Sequence, residues 1–290
     1  FIRTHIIPTS IFDAMAQNQI LQIVVFSVFT GVALAAVGEK AKGLVVLVDQ
    51  LVEVMLKMTG YVMLFAPIAV FAAVAVAIAR NGPEVLITYA KFLGGFYLSL
   101  IVLWAILLFL GFVFLGPRVF GLVGLIREPL LLAFSTASSE AAYPKTLESL
   151  ERFGVPRTIS GFVLPLGYSF NLDGSMMYCT FAVMFIAQIV GAHIPIEQQV
   201  TMLLILMITS KGMAGVPRAS LVVIAATLIQ FNLPIEGVAL IFAIDQFLDM
   251  GRSATNVVGN AVATAVVAKW EGALEPPAKK KVAPARTAAR

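Results

Sequence analysis

The chain has 290 residues, 60% of them hydrophobic and only 12% charged, with a formal net charge of +4. Soluble domains carry about 25% charged residues, so this composition excludes an ordinary soluble domain and points to an integral membrane protein. A single cysteine, Cys179, excludes an internal disulfide and is read as a packing residue.

The apolar residues come in runs near the ~20 that carry a helix across a bilayer. They do not form the alternating ten-residue segments of an outer-membrane barrel. The prediction is therefore an all-α polytopic membrane protein. The chain opens on Phe1 without a signal-like leader and cleavage site, which is read as an N-terminal truncation.

In chain order, residues 15–37 form a first span ending at GEKAKG. Residues 43–79 run through an amphipathic piece into a second span, broken by NGP at 81–83. A third occupies 86–116 and is capped by Gly116-Pro117. Residues 119–153 then pair a short apolar run with an amphipathic one across a serine-rich break at 135–140. Neither half is expected to span alone, so a hairpin that enters the membrane and returns is predicted. Residues 158–192 are apolar but too long, roughly 52 Å as one straight helix, and NLDG (171–174) is the expected break. Residues 197–231 repeat the hairpin pattern around TSKGMAGVPRAS (209–220), and 235–269 is a last span with polar groups inside it. The tail EPPAKKKVAPARTAAR is read as a disordered basic extension, cytoplasmic by the positive-inside rule. Its basic residues follow a membrane span without aromatic interleaving, so nucleic acid is the weaker partner.

Irregular backbone at membrane depth is tolerated where it is buried in protein or lines a cavity. Several such places in one half of the chain suggest a shared site, in the manner of transporters with broken helices meeting near the midplane. Asp245, Asp249, Arg252, Asn256 and Asn260 fall at steps of four, three, four and four, which is one helical stripe. Val257, Val258, Ala261 and Val262 on the other side are expected to be lipid-compatible. A charge at bilayer centre costs about 2.5–3.5 kcal/mol on insertion scales, so the stripe must face protein or water.

In the functional reading Arg252 offers its planar fork to a carboxylate and Asp249 is free for an ammonium group. The competing reading is a structural Asp249–Arg252 pair at i, i+3. The NLDG break would supply carbonyls plus the hard oxygens of Asn171 and Asp173 to an alkali cation, or else is a kink with a hydrogen-bonded Asp. STASSE is a site element or a polar loop, and Glu140 a cavity group or a hairpin-tip carboxylate. Lys211 and Arg218 are expected to snorkel to the headgroups. His5 and His193 lie in no constellation.

FSTASSEAAYP (134–144), GYSFNLDGS (167–175), TSKGMAGVPRAS (209–220) and DQFLDMGRSATNVVGN (245–260) follow one another. Their order and spacing resemble the glutamate-transporter family of dicarboxylate/amino acid:cation symporters, over roughly residues 7–272. The resemblance implies that family's fold, with two re-entrant hairpins and broken transmembrane helices. This chain starts just before the fourth of eight helices, the first three being absent. Residues 1–85 would be scaffold helices, 86–272 the transport core and 273–290 the tail.

It implies a substrate site of Ser138 and Ser139 (α-carboxylate), Gly215 and Val216 (closing over it), Arg252 (side-chain carboxylate), Asp249 (α-amino group), Ser253 and Asn256. It implies one cation site from the carbonyls of Gly167 and Asn256 with the side chains of Asn171 and Asp173, where Na+ would sit, and a second from backbone at Ser169 and Leu172 with the carbonyls of Ser210, Lys211 and Met213. Asn260 stands where sodium-coupled members carry an aspartate, which leaves Na+ against H+ coupling open. No cofactor beyond the coupling ions is implied.

The expected activity is secondary symport of glutamate or aspartate by elevator-type alternating access, in a homotrimer in the bacterial inner membrane. Asp249 favours an amino acid, since a plain C4-dicarboxylate has no ammonium to meet it; succinate, fumarate or malate is the alternative substrate. A channel fits two gating hairpins poorly. An enzyme fits least, the sequence having no Ser–His or metal-ligand arrangement and no nucleotide loop.

Overall fold

The computed structural model describes residues 10–16, 20–65, 68, 71–72, 75–76, 78–79, 82–210, 213 and 217–276. Among these all extended regular structure is helical and no strand occurs. The elements are α1 (Ile11–Ala16), α2 (Ile20–Val37), α3 (Lys42–Met63), α4 (Val85–Leu115), α5 (Arg118–Thr136) and α6 (Tyr143–Phe153). They continue as α7 (Arg157–Phe170), α8 (Asp173–Ile189), α9 (Ile196–Thr209), α10 (Ala219–Gln230), α11 (Val238–Phe242) and α12 (Asp245–Trp270).

The first span is realised as α2, and GEKA forms a single 3₁₀ turn before α3. Helix α3 runs from the amphipathic piece into TGYV as far as Met63, in keeping with the continuous run expected there. Most of the second span beyond it lies outside the described residues, as does the tail from 277 onward. The third span is α4, whose end is set by Gly116 at φ +61°, a conformation glycine takes without steric cost.

Both hairpins form. In the first, α5 and α6 pack side by side around a turn at 137–142. One expectation needs correction: α5 is 19 residues long and apolar enough to cross a membrane by itself. The helix continues through Ser135 and Thr136, whose hydroxyls bond back to the carbonyl of Leu132 at 3.1 and 2.7 Å instead of interrupting the ladder. In the second hairpin, α9 and α10 flank residues 210–218.

The overlong segment breaks at the expected place. Helices α7 and α8 are separated by Asn171 and Leu172 alone, at φ/ψ −124°/64° and −97°/70°.

The last helix is the hub. It packs against α4, α5, α6, α7, α8 and α11, and nearly every side chain from Leu248 to Ala268 is buried. The expectation that Val257, Val258, Ala261 and Val262 face lipid is therefore wrong: they are 0%, 2%, 0% and 5% exposed. Hydropathy cannot tell lipid from protein because both are apolar. The small residues of α12 (Gly251, Ser253, Ala254, Gly259, Ala261 and Ala265) leave room for neighbouring elements to pack close around it.

Two apolar clusters sandwich a polar layer. One gathers α4, α8, α9 and α10 around Phe96, Tyr178, Ile186, Leu206 and Ile224, and reaches α12 at Leu248. The other gathers both arms of the first hairpin and α7 around Leu122, Ile126, Leu150 and Leu164, and meets α12 from Val258 onward. The stretch of α12 left between them is 249–257.

Candidate substrate and cation site

Within that layer Asp249, Arg252, Ser253 and Asn256 are each fully buried. Asp249 accepts the Nε proton of Arg252 on one carboxylate oxygen and the backbone N–H of Arg218 on the other. The i, i+3 pair anticipated as the competing reading is therefore present. In this structure Asp249 is not free, as the functional reading had it; each of its oxygens has a donor. Arg252 Nη1 donates to Ser175 Oγ at 3.0 Å, and Asn256 Nδ2 donates to the same oxygen at 3.0 Å.

Asn256 also serves the broken helix. A helix N-terminus leaves its first N–H groups without intrahelical acceptors, and Leu172, at the cap position of α8, has no side chain that can accept them. Asn256 Oδ1 takes this role from across the interface, accepting from Gly174 N at 2.9 Å and Ser175 N at 3.3 Å. The break is thus fastened to the stripe by four hydrogen bonds, three to Asn256 and one to Arg252.

The two hairpin turns arrive at the same stretch. Ala133 and Ala142, flanking the first turn, pack with Val257. Ser138 and Ser139 on that turn are buried. Ser138 Oγ accepts the N–H of Ala141 at 3.2 Å, whereas the Ser139 and Ser253 hydroxyls have no hydrogen-bond partner among the described residues. The second turn reaches the stripe at Arg218. Gly215 and Val216, expected to close over the substrate, and Lys211 lie outside the described residues.

Arg218 corrects a further expectation. It does not snorkel: its side chain is 18% exposed, its Nε lies 3.6 Å from Oδ2 of the fully buried Asp245, and its guanidinium sits 4.2 Å over the Phe242 ring. Asp245 Oδ1 in turn accepts the Tyr178 hydroxyl at 2.5 Å.

The expected cation ligands fall into two groups. In the first, Asn171 Nδ2 donates to Asp173 Oδ2 at 3.3 Å, and this carboxylate lies so close to the Gly259 backbone that any Cβ there would collide with it. Gly167 meets the Asn260 amide in the same way. Asn260 is 1% exposed, and neither its Oδ1 nor its Nδ2 has a partner among the described residues. A buried amide with unused oxygen, near a carboxylate and a broken helix end, suits a hard alkali cation in its donor chemistry. No cluster of three His, Cys, Asp or Glu exists among the described residues, so a softer metal finds no such ligand set there. In the second group, Leu172 and Met213 are buried and Ser210 Oγ lies 3.7 Å from Met176 Sδ. Ser169 is exposed and bonds back to the carbonyl of Pro165 at 3.2 Å, so its hydroxyl is turned to its own helix.

Ser175, Tyr178 and Arg218 were absent from the sequence-based site. Ser175 stands in the first turn after the break and Tyr178 three residues on, so both occupy one helical face. That spacing was the available signal.

Three comparisons bear on the chain as a whole. A proton/sodium-glutamate symport protein of Geobacillus stearothermophilus is 44% identical over 275 residues, covering 92% of this chain and 64% of that protein. A proton/glutamate-aspartate symporter of Escherichia coli is 44% identical over 273 residues, covering 92% and 61%. A C4-dicarboxylate transport protein of Laribacter hongkongensis is 42% identical over 278 residues, covering 93% and 62%. The chain thus spans less than two thirds of the length of these relatives. Residues 2–270 match the profile of the sodium:dicarboxylate symporter family, and the chain, a multi-pass membrane protein, belongs to that family.

Proposed function

We propose that the protein is a secondary symporter that carries glutamate or aspartate into the cell with Na+ and/or H+. The observation that carries this reading is the fully buried Asp249–Arg252 pair, met by the Ser175 hydroxyl at the helix break and the Arg218 N–H at the second hairpin. An isolated pair of this kind is a poor source of stability, because desolvation offsets most of its attraction. It is well suited to a ligand that carries both charges. An amino-acid dicarboxylate brings a carboxylate to the guanidinium and an ammonium to the carboxylate, replacing the internal pair with two intermolecular ones.

In this reading Arg252 receives the side-chain carboxylate and Asp249 the α-ammonium. Ser139 and Ser253, hydroxyls with no partner among the described residues, offer donors to the α-carboxylate and the substrate flank, with Ser138 beside them. Gly215 and Val216 close over the ligand. The coupling cation is held by Asn171, Asp173 and carbonyls at Gly167 and Asn256, with the Asn260 amide as a neutral ligand. A neutral amide binds Na+ less strongly than a carboxylate, which keeps H+ in the reading.

Residues 86–272 would move as the transport core against a scaffold in 1–85. The separation of the two parts supports this: α2 and α3 expose most of their large apolar side chains and meet the rest of the fold chiefly at α9. The membrane would be the bacterial inner membrane, the C-terminus cytoplasmic and the assembly a homotrimer.

The second reading, a C4-dicarboxylate symporter, is favoured by the relative of that name and by the absence of a second acidic group at Asn260. Uptake of labelled aspartate, glutamate and succinate into proteoliposomes, under imposed Na+ or H+ gradients, separates the two. Aspartate or glutamate uptake at least tenfold above succinate is expected. Transport of succinate with no transport of either amino acid would overturn the assignment of Asp249.

A further inference from the structure

We infer that Arg218 is the positioning residue that latches the second hairpin onto the last helix, through an ion pair with Asp245 and stacking on Phe242. Asp245 is fully buried, and its one hydrogen bond among the described residues, from Tyr178 at 2.5 Å, engages Oδ1 and leaves Oδ2 toward Arg218. A buried carboxylate with one oxygen unbonded is costly unless a cation faces it. Arg218 is the cation within 4 Å of it among the described residues.

Three contacts converge on this one residue. Its guanidinium faces Asp245, its π face rests 4.2 Å from the Phe242 centroid, and its backbone N–H donates to Asp249. The backbone contact exists only while the turn is seated, and the two side-chain contacts seat it. Arg218 adopts φ +66°, a left-handed conformation that glycine would take without steric cost. The position therefore carries an arginine where the backbone alone favours glycine, and its side-chain contacts offset that cost.

The pair is also made so that it can release. At 3.6 Å from Asp245 the Arg218 Nε has no hydrogen-bond partner among the described residues, nor has Nη2. The turn is thus held by charge and stacking rather than by a hydrogen-bonded fork, which would be harder to open. Because the Arg218 N–H occupies an oxygen of Asp249, the place of Arg218 and the state of Asp249 are linked. That link is geometric and goes beyond the transport reading; only its effect on substrate affinity rests on it.

Cys179 provides the test. It is fully buried, and its Sγ lies 3.9 Å from the carbonyl of Ser220, two residues past Arg218. Its reaction with N-ethylmaleimide, in the full-length protein with any cysteine other than Cys179 replaced by serine and without substrate, reports whether the start of α10 is seated. Arg218→Gln should speed labelling about three- to tenfold, as expected for loss of a partly buried ion pair, while Arg218→Lys, which keeps the charge, should retain most of the protection. Asp245→Asn alone should speed labelling to a similar degree, and the double variant should add nothing further, since both remove one interaction. Should Arg218→Gln fail to fold, Asp245→Asn and Phe242→Leu carry the same test. Labelling at the wild-type rate in the folded variants, or additive effects in the double variant, would overturn the latch. No step uses a substrate, so a failure of the transport reading leaves this result standing, and the converse holds.

Discussion

Asn256 caps the first turn of α8 from a different helix, accepting two of its N–H groups at 2.9 and 3.3 Å while donating to Ser175. Replacing it with alanine leaves buried donors on α8 without acceptors, at about 1–3 kcal/mol for an unsatisfied group. Asn256→Ala should therefore lower the thermal unfolding midpoint of the detergent-solubilised protein, and Asn256→Asp should recover part of the loss because a carboxylate also accepts. An unchanged midpoint in the alanine variant would show that the cap contributes nothing. This role was not legible in the sequence. The stripe showed that Asn256 shares a helical face with Asp249 and Arg252, but its partner Ser175 is 81 positions away. Arg218 failed differently, because a basic residue beside apolar helices reads as a headgroup contact until its acidic partner on α12 is located.

At the scale of elements, the helix break could be read from length, and the hairpins from the polar breaks between paired apolar runs, since α5 is by itself long enough to span. A run too long for one span must break, and residues Asn171 and Leu172 form the break. Element ends were less legible: α5 absorbs Ser135 and Thr136, which the sequence offered as part of the break. The burial of α12 on all sides was not legible either, since valine and alanine suit lipid and protein equally. Glycine permits the close approach of α8 to α12: a Cβ at Gly174 would strike the Arg252 carbonyl. A Cβ at Gly259 would strike the Asp173 carboxylate. Gly259→Ala must push the carboxylate or the helix aside, and overpacking of this kind costs about 1–3 kcal/mol. On the cation reading it should also raise the Na+ concentration for half-maximal uptake by about tenfold, with a smaller change in maximal rate. A Na+ response equal to wild type would place the cation away from Asp173.

For the molecule as a whole, the polar layer between two apolar clusters is the feature from which function follows. Each cluster joins one hairpin to α12, so among the described residues the hairpins are built on separate apolar bases. On the transport reading proposed above, separate bases would let one hairpin move while the other stays in place. Composition and helix period established the membrane class and the stripe. Bringing the stripe, the break and both turns to one stretch of α12 required tertiary contacts between residues more than 80 positions apart, such as Gly174 with Asn256. The central claim is that Arg252 receives the substrate carboxylate, and calorimetric titration of the full-length protein with aspartate in Na+ tests it most directly. Arg252→Ala strands Asp249 and removes the carboxylate's partner, a loss of about 3–5 kcal/mol for a broken buried pair, so binding should weaken at least a hundredfold in a protein that remains folded. Wild-type affinity in that folded variant would contradict the claim.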